Sequence, residues 1–341
     1  MLVTGGAGYI GSHACKALAV AGYRPVAYDN LSTGNRWAVR WGPLESGDIL
    51  DAARLNEVVR THRPVGVMHF AARALVGESM QAPHDYYRTN VVGAINVLEA
   101  CRIHGMTAFV FSSTCAVYGT PEAVPIAEQT PLRPINPYGA SKLMVERILD
   151  DYEMAYGLRH VSLRYFNAAG ADPEGEIGEA REVETHLVPL ALDAILGLRP
   201  ALRILGADYP TPDGTAIRDY IHVSDLADAH VRALALLLDG GESGRLNLGT
   251  GHGYSVRQVL DAAAAVAGQP VPHVTAPRRP GDPAELVADP RAAFLRLGQD
   301  LTGRSSLRNI VETAWAWQSR RQATAGHGAV GGSGDRTPWG G

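Results

Sequence analysis

The amino-acid sequence predicts an α/β fold, a doubly wound parallel sheet followed by a smaller C-terminal α/β domain. Three observations carry that expectation. Short apolar runs alternate with helical stretches through the first half, as in a parallel sheet covered by helices on both faces. Each run ends at small or polar residues, which in such sheets line the binding crevice at the carboxyl edge. The 341 residues suffice for two domains of ~150 residues, and beyond about Ala169 the texture turns irregular and rich in proline.

Taken in order, Val3-Thr4 is the first strand and leads into glycines, and Ser12 to Ala21 reads as a helix closed by Gly22. Further strands are expected at Pro25 to Asp29, Gly66 to Phe70 and Ala108 to Ser112. Residues 1–168 form the first domain and 169–322 the second, which holds Pro173, Pro210, Pro212, Pro277, Pro280, Pro283 and Pro290. Within the second, Ile217 to Leu238 and Arg245 to Gly251 resemble helix and strand of the first type, so 217–251 is expected to contribute to the first domain. The last helix, Ser306 to Gln322, carries Ile310, Ala314 and Trp317 at helical spacing. Residues 323–341 are rich in glycine and are expected to form a disordered tail.

Composition narrows the function classes. Hydrophobic residues make up 46% and charged residues 19%, against ~25% charged in an average globular protein, which excludes a mainly disordered chain. A net charge of −4 does not fit a protein that binds nucleic acid through a basic stripe. No run approaches the ~18 apolar residues of a membrane span, and the start Met1-Leu2-Val3-Thr4-Gly5 shows no secretion-signal progression. A cytoplasmic location is therefore expected. Cys15, Cys101 and Cys115, without Cys-x-x-Cys spacing, fit reduced thiols rather than a disulfide framework or a zinc site, and no metal is expected.

The chemistry begins at Gly5-Gly6-Ala7-Gly8-Tyr9-Ile10-Gly11, which follows a strand and opens a helix. Glycines in that context let a pyrophosphate approach the backbone at a helix amino end. Asp29 ends the second strand 18 residues past Gly11, where a carboxylate accepts hydrogen bonds from adenosine ribose hydroxyls and repels a 2′-phosphate. The pair predicts a Rossmann-type sheet binding NAD rather than NADP.

Tyr138 and Lys142 lie four apart just after Pro137 and share one helix face. Thr114 adds a hydroxyl at the end of the preceding strand. The three suit proton abstraction from an alcohol, provided the phenol, with an ordinary pKa of ~10, is lowered by a nearby ammonium and by the nicotinamide cation. Only Lys16 and Lys142 among the 31 basic residues are lysines, so Lys142 marks a place where the wider guanidinium does not serve.

Together, Thr4-Gly-Gly-Ala-Gly-Tyr-Ile-Gly11, Asp29-Asn30, Gly47-Asp48-Ile49, His69-Phe-Ala-Ala72, Val76-Gly-Glu-Ser79, Phe111-Ser-Ser-Thr-Cys-Ala-Val-Tyr-Gly119, Pro137-Tyr-Gly-Ala-Ser-Lys142, Leu163-Arg-Tyr-Phe-Asn167 and Arg218-Asp-Tyr-Ile-His222 resemble the extended short-chain dehydrogenase/reductase family. The later motifs are similar to its UDP-glucose 4-epimerase branch, over Met1 to about Arg321. The resemblance implies an NAD-dependent isomerase that interconverts UDP-glucose and UDP-galactose by transient oxidation at sugar carbon 4, acting as a homodimer built through two helices of each first domain. It makes Tyr138 the base, Lys142 its electrostatic partner and Thr114 a substrate-side hydroxyl. Asp48 and Ile49 would flank the adenine, Phe70, Ala71 and Ala72 would line the cofactor, and Asn30, Thr89, Asn90 and Phe166 complete its surroundings. Three positions depart from the family pattern. The first strand starts two residues short, either clipped or beginning upstream; Ala74 replaces a Lys of some relatives; and Thr89 replaces an Asn.

In the second domain, a buried diphosphate requires forked, permanently charged donors, which Arg supplies. By resemblance, Arg218 and Arg279 hold the diphosphate, Asp282 the uridine ribose, Asn167 the substrate, and His186, Leu187, Arg203 and Leu205 surround the uracil. Leu286 falls where relatives restricted to simple hexoses carry a Tyr, which implies room for N-acetylhexosamines. A nucleotide-sugar 4,6-dehydratase shares the oxidation step but requires an acid and a base beside Thr114, where Cys115 and Ala116 stand. A non-catalytic NAD-binding module has no need of Thr114, Tyr138 and Lys142 together.

Overall fold

The computed structural model describes residues 1–279, 281–298 and 301–330. The chain opens with β1 (Leu2–Thr4), α1 (Tyr9–Val20), β2 (Val26–Asp29), β3 (Leu44–Ser46), α2 (Ala52–His62) and β4 (Val67–His69). The short helices α3 (Val76–Gln81) and α4 (Pro83–Tyr86) follow, then a π-helical stretch (Tyr87–Val92) that runs into α5 (Gly93–Ile103). Next come β5 (Ala108–Ser112), α6 (Pro137–Tyr156), β6 (Arg159–Tyr165), β7 (Asn167–Ala169), α7 (Leu187–Ile195), β8 (Leu202–Leu205) and β9 (Ile217–His222). The remainder is α8 (Val223–Leu238), β10 (Gly244–Leu248), β11 (Gly253–Ser255), α9 (Val256–Ala267), β12 (His273–Ala276), β13 (Glu285–Leu286), α10 (Arg291–Leu297) and α11 (Leu307–Val330).

Seven strands form one sheet in the order β10-β6-β5-β4-β1-β2-β3, and every neighbouring pair is parallel. The order in which successive strands are added reverses between β1 and β4, so the crevice of this doubly wound sheet opens at Thr4 and His69. On one face α1 and α8 bury Ala14, Leu18, Leu226, Leu234 and Leu237. On the other, α2, α5 and α6 bury Leu55, Val58, Val97, Leu98, Val145 and Leu149. Each such leucine contributes about 1.5–3 kcal/mol on leaving water, which fixes the helices and the loops between them.

The remaining strands form a small sheet, β11-β9-β13 with β7 also on β9, and a pair, β12-β8. A third core of Val188, Leu192, Val259, Leu260, Ile310 and Val311 gathers α7, α9 and α11 over them. The stretch 217–251 is divided between the sheets: α8 and β10 belong to the first, whereas β9 is central to the small sheet. The chain then crosses back again, since Ala293 and Leu297 of α10 join the first core.

Three expected boundaries shift. The helix expected from Ile217 starts at Val223, because 217–222 pairs as β9 with β7, β11 and β13. The first helix starts at Tyr9, not Ser12, because Gly8 takes the extended cap conformation and the helical backbone begins directly after it. The last helix runs on to Val330 rather than stopping at Gln322. Residues 323–330 of the expected tail thus continue that helix. The rest of that tail, 331–341, lies outside the described residues, as does Pro280.

Candidate active site

The glycine-rich turn is compact because its glycines meet other backbone. Gly5 has φ +72°, and a side chain there would stand 2.7 Å from the Ala71 nitrogen. A Cβ on Gly11 would fall 2.1 Å from the Gly5 carbonyl oxygen, so only hydrogen permits α1 to start so close to the turn. Gly8 caps α1 without a side-chain hydrogen bond, and the first turn carries no acidic residue. The opening N–H groups thus face the crevice with the positive end of the helix dipole behind them. Tyr9 and Ile10 begin the helix, and the Tyr9 hydroxyl donates to Gly170 O at 2.6 Å, tying α1 to the second half.

Asp29, at the end of β2, accepts from Ala7 N at 2.9 Å and Leu31 N at 2.8 Å. Burial raises its pKa, opposed by these two amide bonds. Asn30 donates to Asp48 Oδ2 at 2.9 Å, and buried Ile49 packs below Gly93. Phe70 and Ala71 both donate backbone N–H groups to Thr4 O, at 2.9 and 3.1 Å, so 70–72 follows the turn's edge. Thr89 and Asn90 sit in the π-helical stretch, a local widening frequent at functional sites. Asn90 holds both backbone groups of Arg73 and donates to Ser141 Oγ at 2.9 Å. A cradle that a Cβ would fill, an uncapped helix start and a strand-end carboxylate together fit a dinucleotide.

At the opposite wall, Asn136 caps α6 by accepting from Gly139 N at 2.8 Å, with Pro137 as the first helical residue. This sets Tyr138 and Lys142 facing β5. Lys142 Nζ donates to Ser112 O at 2.9 Å and lies 4.9 Å from the Phe111 ring centroid and 6.0 Å from that of Tyr138. Both side chains are buried. Burial pushes the Tyr138 phenol well above its ordinary value, with Thr114's hydroxyl among the opposing influences, and pulls Lys142 down to about 7, opposed by the charge of Glu146. The expected lowering of the phenol includes the charge of the nicotinamide cation; within the chain alone, desolvation outweighs the favourable neighbours. Thr114, at the end of β5's extension, accepts from Ala116 N at 3.1 Å.

One turn beyond Lys142, fully buried Glu146 binds Ser113 Oγ at 2.5 Å, Arg164 at 3.0 and 2.6 Å, and Arg245 Nε at 3.1 Å. Arg164 also donates to the Tyr118 hydroxyl at 2.9 Å. The network locks α6 to β5, β6 and β10 and so positions Thr114 against Tyr138. Sequence reasoning missed it: Glu146 stands at helical spacing after Lys142, but its arginine partners come from β6 and β10. It also missed Tyr165, whose hydroxyl meets Ser112 Oγ at 2.7 Å, and His230, whose ring lies 4.7 Å from that of Phe70.

On the second-half side, Arg218, Arg279 and Asp282 come together. Arg218 Nη2 lies 2.6 Å from Asp282 Oδ1 and Arg279 Nη2 lies 3.1 Å from Oδ2. Leu286 pairs in register with Arg218 and packs against a cluster that includes Phe166, Tyr118 and Cys115. Asn167 begins β7, directly after Phe166. Arg203 and Leu205 occupy the exposed face of β8, whose following Gly206 touches the Arg278 side chain. His186 caps α7 ahead of half-buried Leu187, and its Nδ1 lies 2.6 Å from Glu179 Oε1.

Comparison with known proteins agrees with this arrangement. The model of the NAD dependent epimerase/dehydratase family matches residues 1–249. A UDP-glucose 4-epimerase of Rhizobium meliloti is 54% identical, over 94% of this chain and 97% of that protein. The crystal structure of UDP-glucose 4-epimerase from Brucella ovis in complex with NAD superposes with a TM-score of 0.90 at 52% identity, covering 92% of this chain and 97% of that one. The Bifidobacterium longum enzyme in complex with NAD+ and UDP gives a TM-score of 0.87 at 36% identity, covering 94% and 98%. With a family match over more than half of its length and relatives above 50% identity along nearly all of it, the chain belongs to the NAD dependent epimerase/dehydratase family.

Proposed function

We infer that this chain is an NAD-dependent UDP-glucose 4-epimerase, an isomerase that interconverts UDP-glucose and UDP-galactose. The observation that carries the reading is the meeting of Tyr138, Lys142 and Thr114 at the crevice of the doubly wound sheet, in a chain that shares half its residues with enzymes of that name. Bound NAD supplies a reversible hydride acceptor for sugar carbon 4. The chain's own residues then have defined tasks. Thr114 orients the 4-hydroxyl, Tyr138 accepts its proton and later returns it, and Lys142 places positive charge beside the phenol so that both become feasible near neutral pH. Gly5, Gly8, Tyr9, Ile10 and Gly11 hold the pyrophosphate, Asp29 and Asn30 the adenosine ribose, and Asp48 and Ile49 the adenine. Arg218, Arg279, Asp282, Asn167, His186, Leu187, Arg203 and Leu205 hold the UDP moiety. Incubation with UDP-galactose without added NAD, followed by analysis of the product sugars, tests the reading. Appearance of UDP-glucose supports it, and unchanged substrate with cofactor present defeats it.

Three finer readings accompany it. Half-buried Leu286 leaves more room at the sugar than a Tyr ring, which favours acceptance of the N-acetylhexosamine pair. Val92 and Ile103 at the ends of α5 and Met144, Met154 and Tyr156 on α6 are exposed, and such a patch favours a homodimer through these helices. No described helix is long and apolar enough to cross a membrane, in keeping with a cytoplasmic enzyme.

A further inference from the structure

The segment 179–182 is linked to the glycine-rich turn through one residue. Asn35 joins the two: its backbone N–H donates to Ala7 O at 2.8 Å and its Nδ2 to Ala180 O at 3.0 Å. From the other side, Trp317 Nε1 donates to Glu179 O at 2.8 Å, anchoring the segment to α11. Arg181 therefore stands beside the amino end of α1 while belonging to the second half of the chain. Burial and the Glu179 carboxylate raise the Tyr9 phenol at the start of α1, with the charge of Arg181 opposing them, and burial raises Tyr165 at the end of β6 against Ser112 and Arg181. Tyr9 opens α1 directly after the glycine-rich turn, and the backbone bonds of the neighbours Glu179 and Ala180 fix the segment on that side.

The way Arg181 is held matters as much as its place. Nε donates to Glu179 Oε1 at 2.8 Å, which fixes the plane of the guanidinium. The two terminal nitrogens have no partner among the described residues, although only 28% of the side chain is exposed. A guanidinium oriented through Nε and open at its fork is arranged for bidentate, charge-assisted hydrogen bonds to a phosphate. Opposite it lie the uncapped N–H groups of α1, which seek the same anion. Arg218 and Arg279 are bound instead to Asp282, on another segment.

We propose that Arg181 is a further cofactor-binding residue that closes on the diphosphate of NAD from the second half of the chain, opposite the amino end of α1. The inference rests on the cofactor reading above and adds a reason for NAD to stay bound between turnovers: the clamp must swing away before the dinucleotide leaves. The substrate's diphosphate has the same chemistry, but the link through Asn35 to Ala7 assigns Arg181 to the cofactor's.

The test measures binding of NAD, adenosine and UDP, separately and without catalysis, to the wild-type protein and to Arg181→Gln, Arg181→Lys and the exposed control Arg40→Gln. Release of NAD from the loaded protein is followed alongside. Removing a charged hydrogen-bond donor is expected to weaken NAD about tenfold or more and to speed its release, with a smaller loss in Arg181→Lys. Adenosine and UDP affinity, and all values for Arg40→Gln, should stay within twofold of wild type. NAD affinity unchanged in Arg181→Gln would overturn the inference, as would a loss confined to UDP. Wild-type protein that binds no NAD would bring down the cofactor reading as well, so the two failures are told apart.

Discussion

The ammonium of Lys142 is tied to the carbonyl of Ser112, 2.9 Å away, and lies 6.0 Å from the Tyr138 ring centroid. The lysine is therefore held by Ser112, the last residue of β5, and not by the phenol. In the function proposed above, its influence on Tyr138 is electrostatic, which separates the roles of the two residues.

Tyr138→Phe removes the proton acceptor and little volume. The maximal rate is expected to fall by about 10²–10⁴, with NAD still bound. Steady-state assays together with nucleotide content after gel filtration check this; near-normal turnover contradicts the role of Tyr138.

Lys142→Arg should also be severely impaired, in stability as well as rate. Burial draws Lys142 down to about 7, so the lysine can shed its charge when no anion compensates it, whereas guanidinium stays charged. The wider group also competes with the Phe111 ring below it. A lower melting temperature and an altered pH–rate profile are expected, and a variant matching wild type in both refutes the argument.

Acid should destabilise the fold before most carboxylates titrate. Burial lowers His13 and His230 to about 4 and His69 and His222 to about 3, from 6.5. In the unfolded chain these rings take up protons near 6.5 while the folded ones do not, so stability is fully present above pH 6.5 and is lost as pH falls toward 4 and 3. Each ring withdraws up to about 1.4 kcal/mol per pH unit across that window. Asp29, Asp219 and Asp225, raised by burial, oppose this, but they act closer to the carboxylate range. Thermal unfolding should fall steeply between pH 7 and 5; an unchanged midpoint contradicts the neutral assignment of the rings. His230→Phe should flatten the slope.

Leu286→Tyr should abolish conversion of UDP-N-acetylglucosamine and spare UDP-glucose. In the proposed reading, an aromatic ring at this position, which packs against the cluster holding Phe166, fills the space an N-acetyl group takes as the sugar turns, and steric exclusion exceeds the ~1–3 kcal/mol of one missing contact. Parallel assays of both substrate pairs decide it. Wild-type protein inactive on N-acetylated sugars rules out the wider pocket while leaving the epimerase reading intact.

What could be read in the sequence was local. The turn Gly5–Gly11, Asp29 after an apolar run, and Tyr138 and Lys142 on one helix turn each depend on neighbours within a few residues. The doubly wound sheet followed from the alternation of such segments. Long-range pairings were less legible: β9 meets β7, β11 and β13 across the second half, and nothing in Ile217 to His222 distinguishes a strand of that sheet from one of the first. The same holds for Tyr165 on Ser112 and Glu146 on Arg164. The raised phenol of Tyr138 was not legible either, because desolvation is set by the packing around a side chain and not by its spacing.

The central claim is that Tyr138 and its neighbours carry out a redox-neutral inversion at sugar carbon 4. The most direct test follows UDP-galactose deuterated at carbon 4 through turnover by the purified protein without added NAD. The account predicts UDP-glucose that retains the deuterium at carbon 4, with none appearing in solvent. Loss of the label to water, or a 4-keto-6-deoxy product, would contradict it.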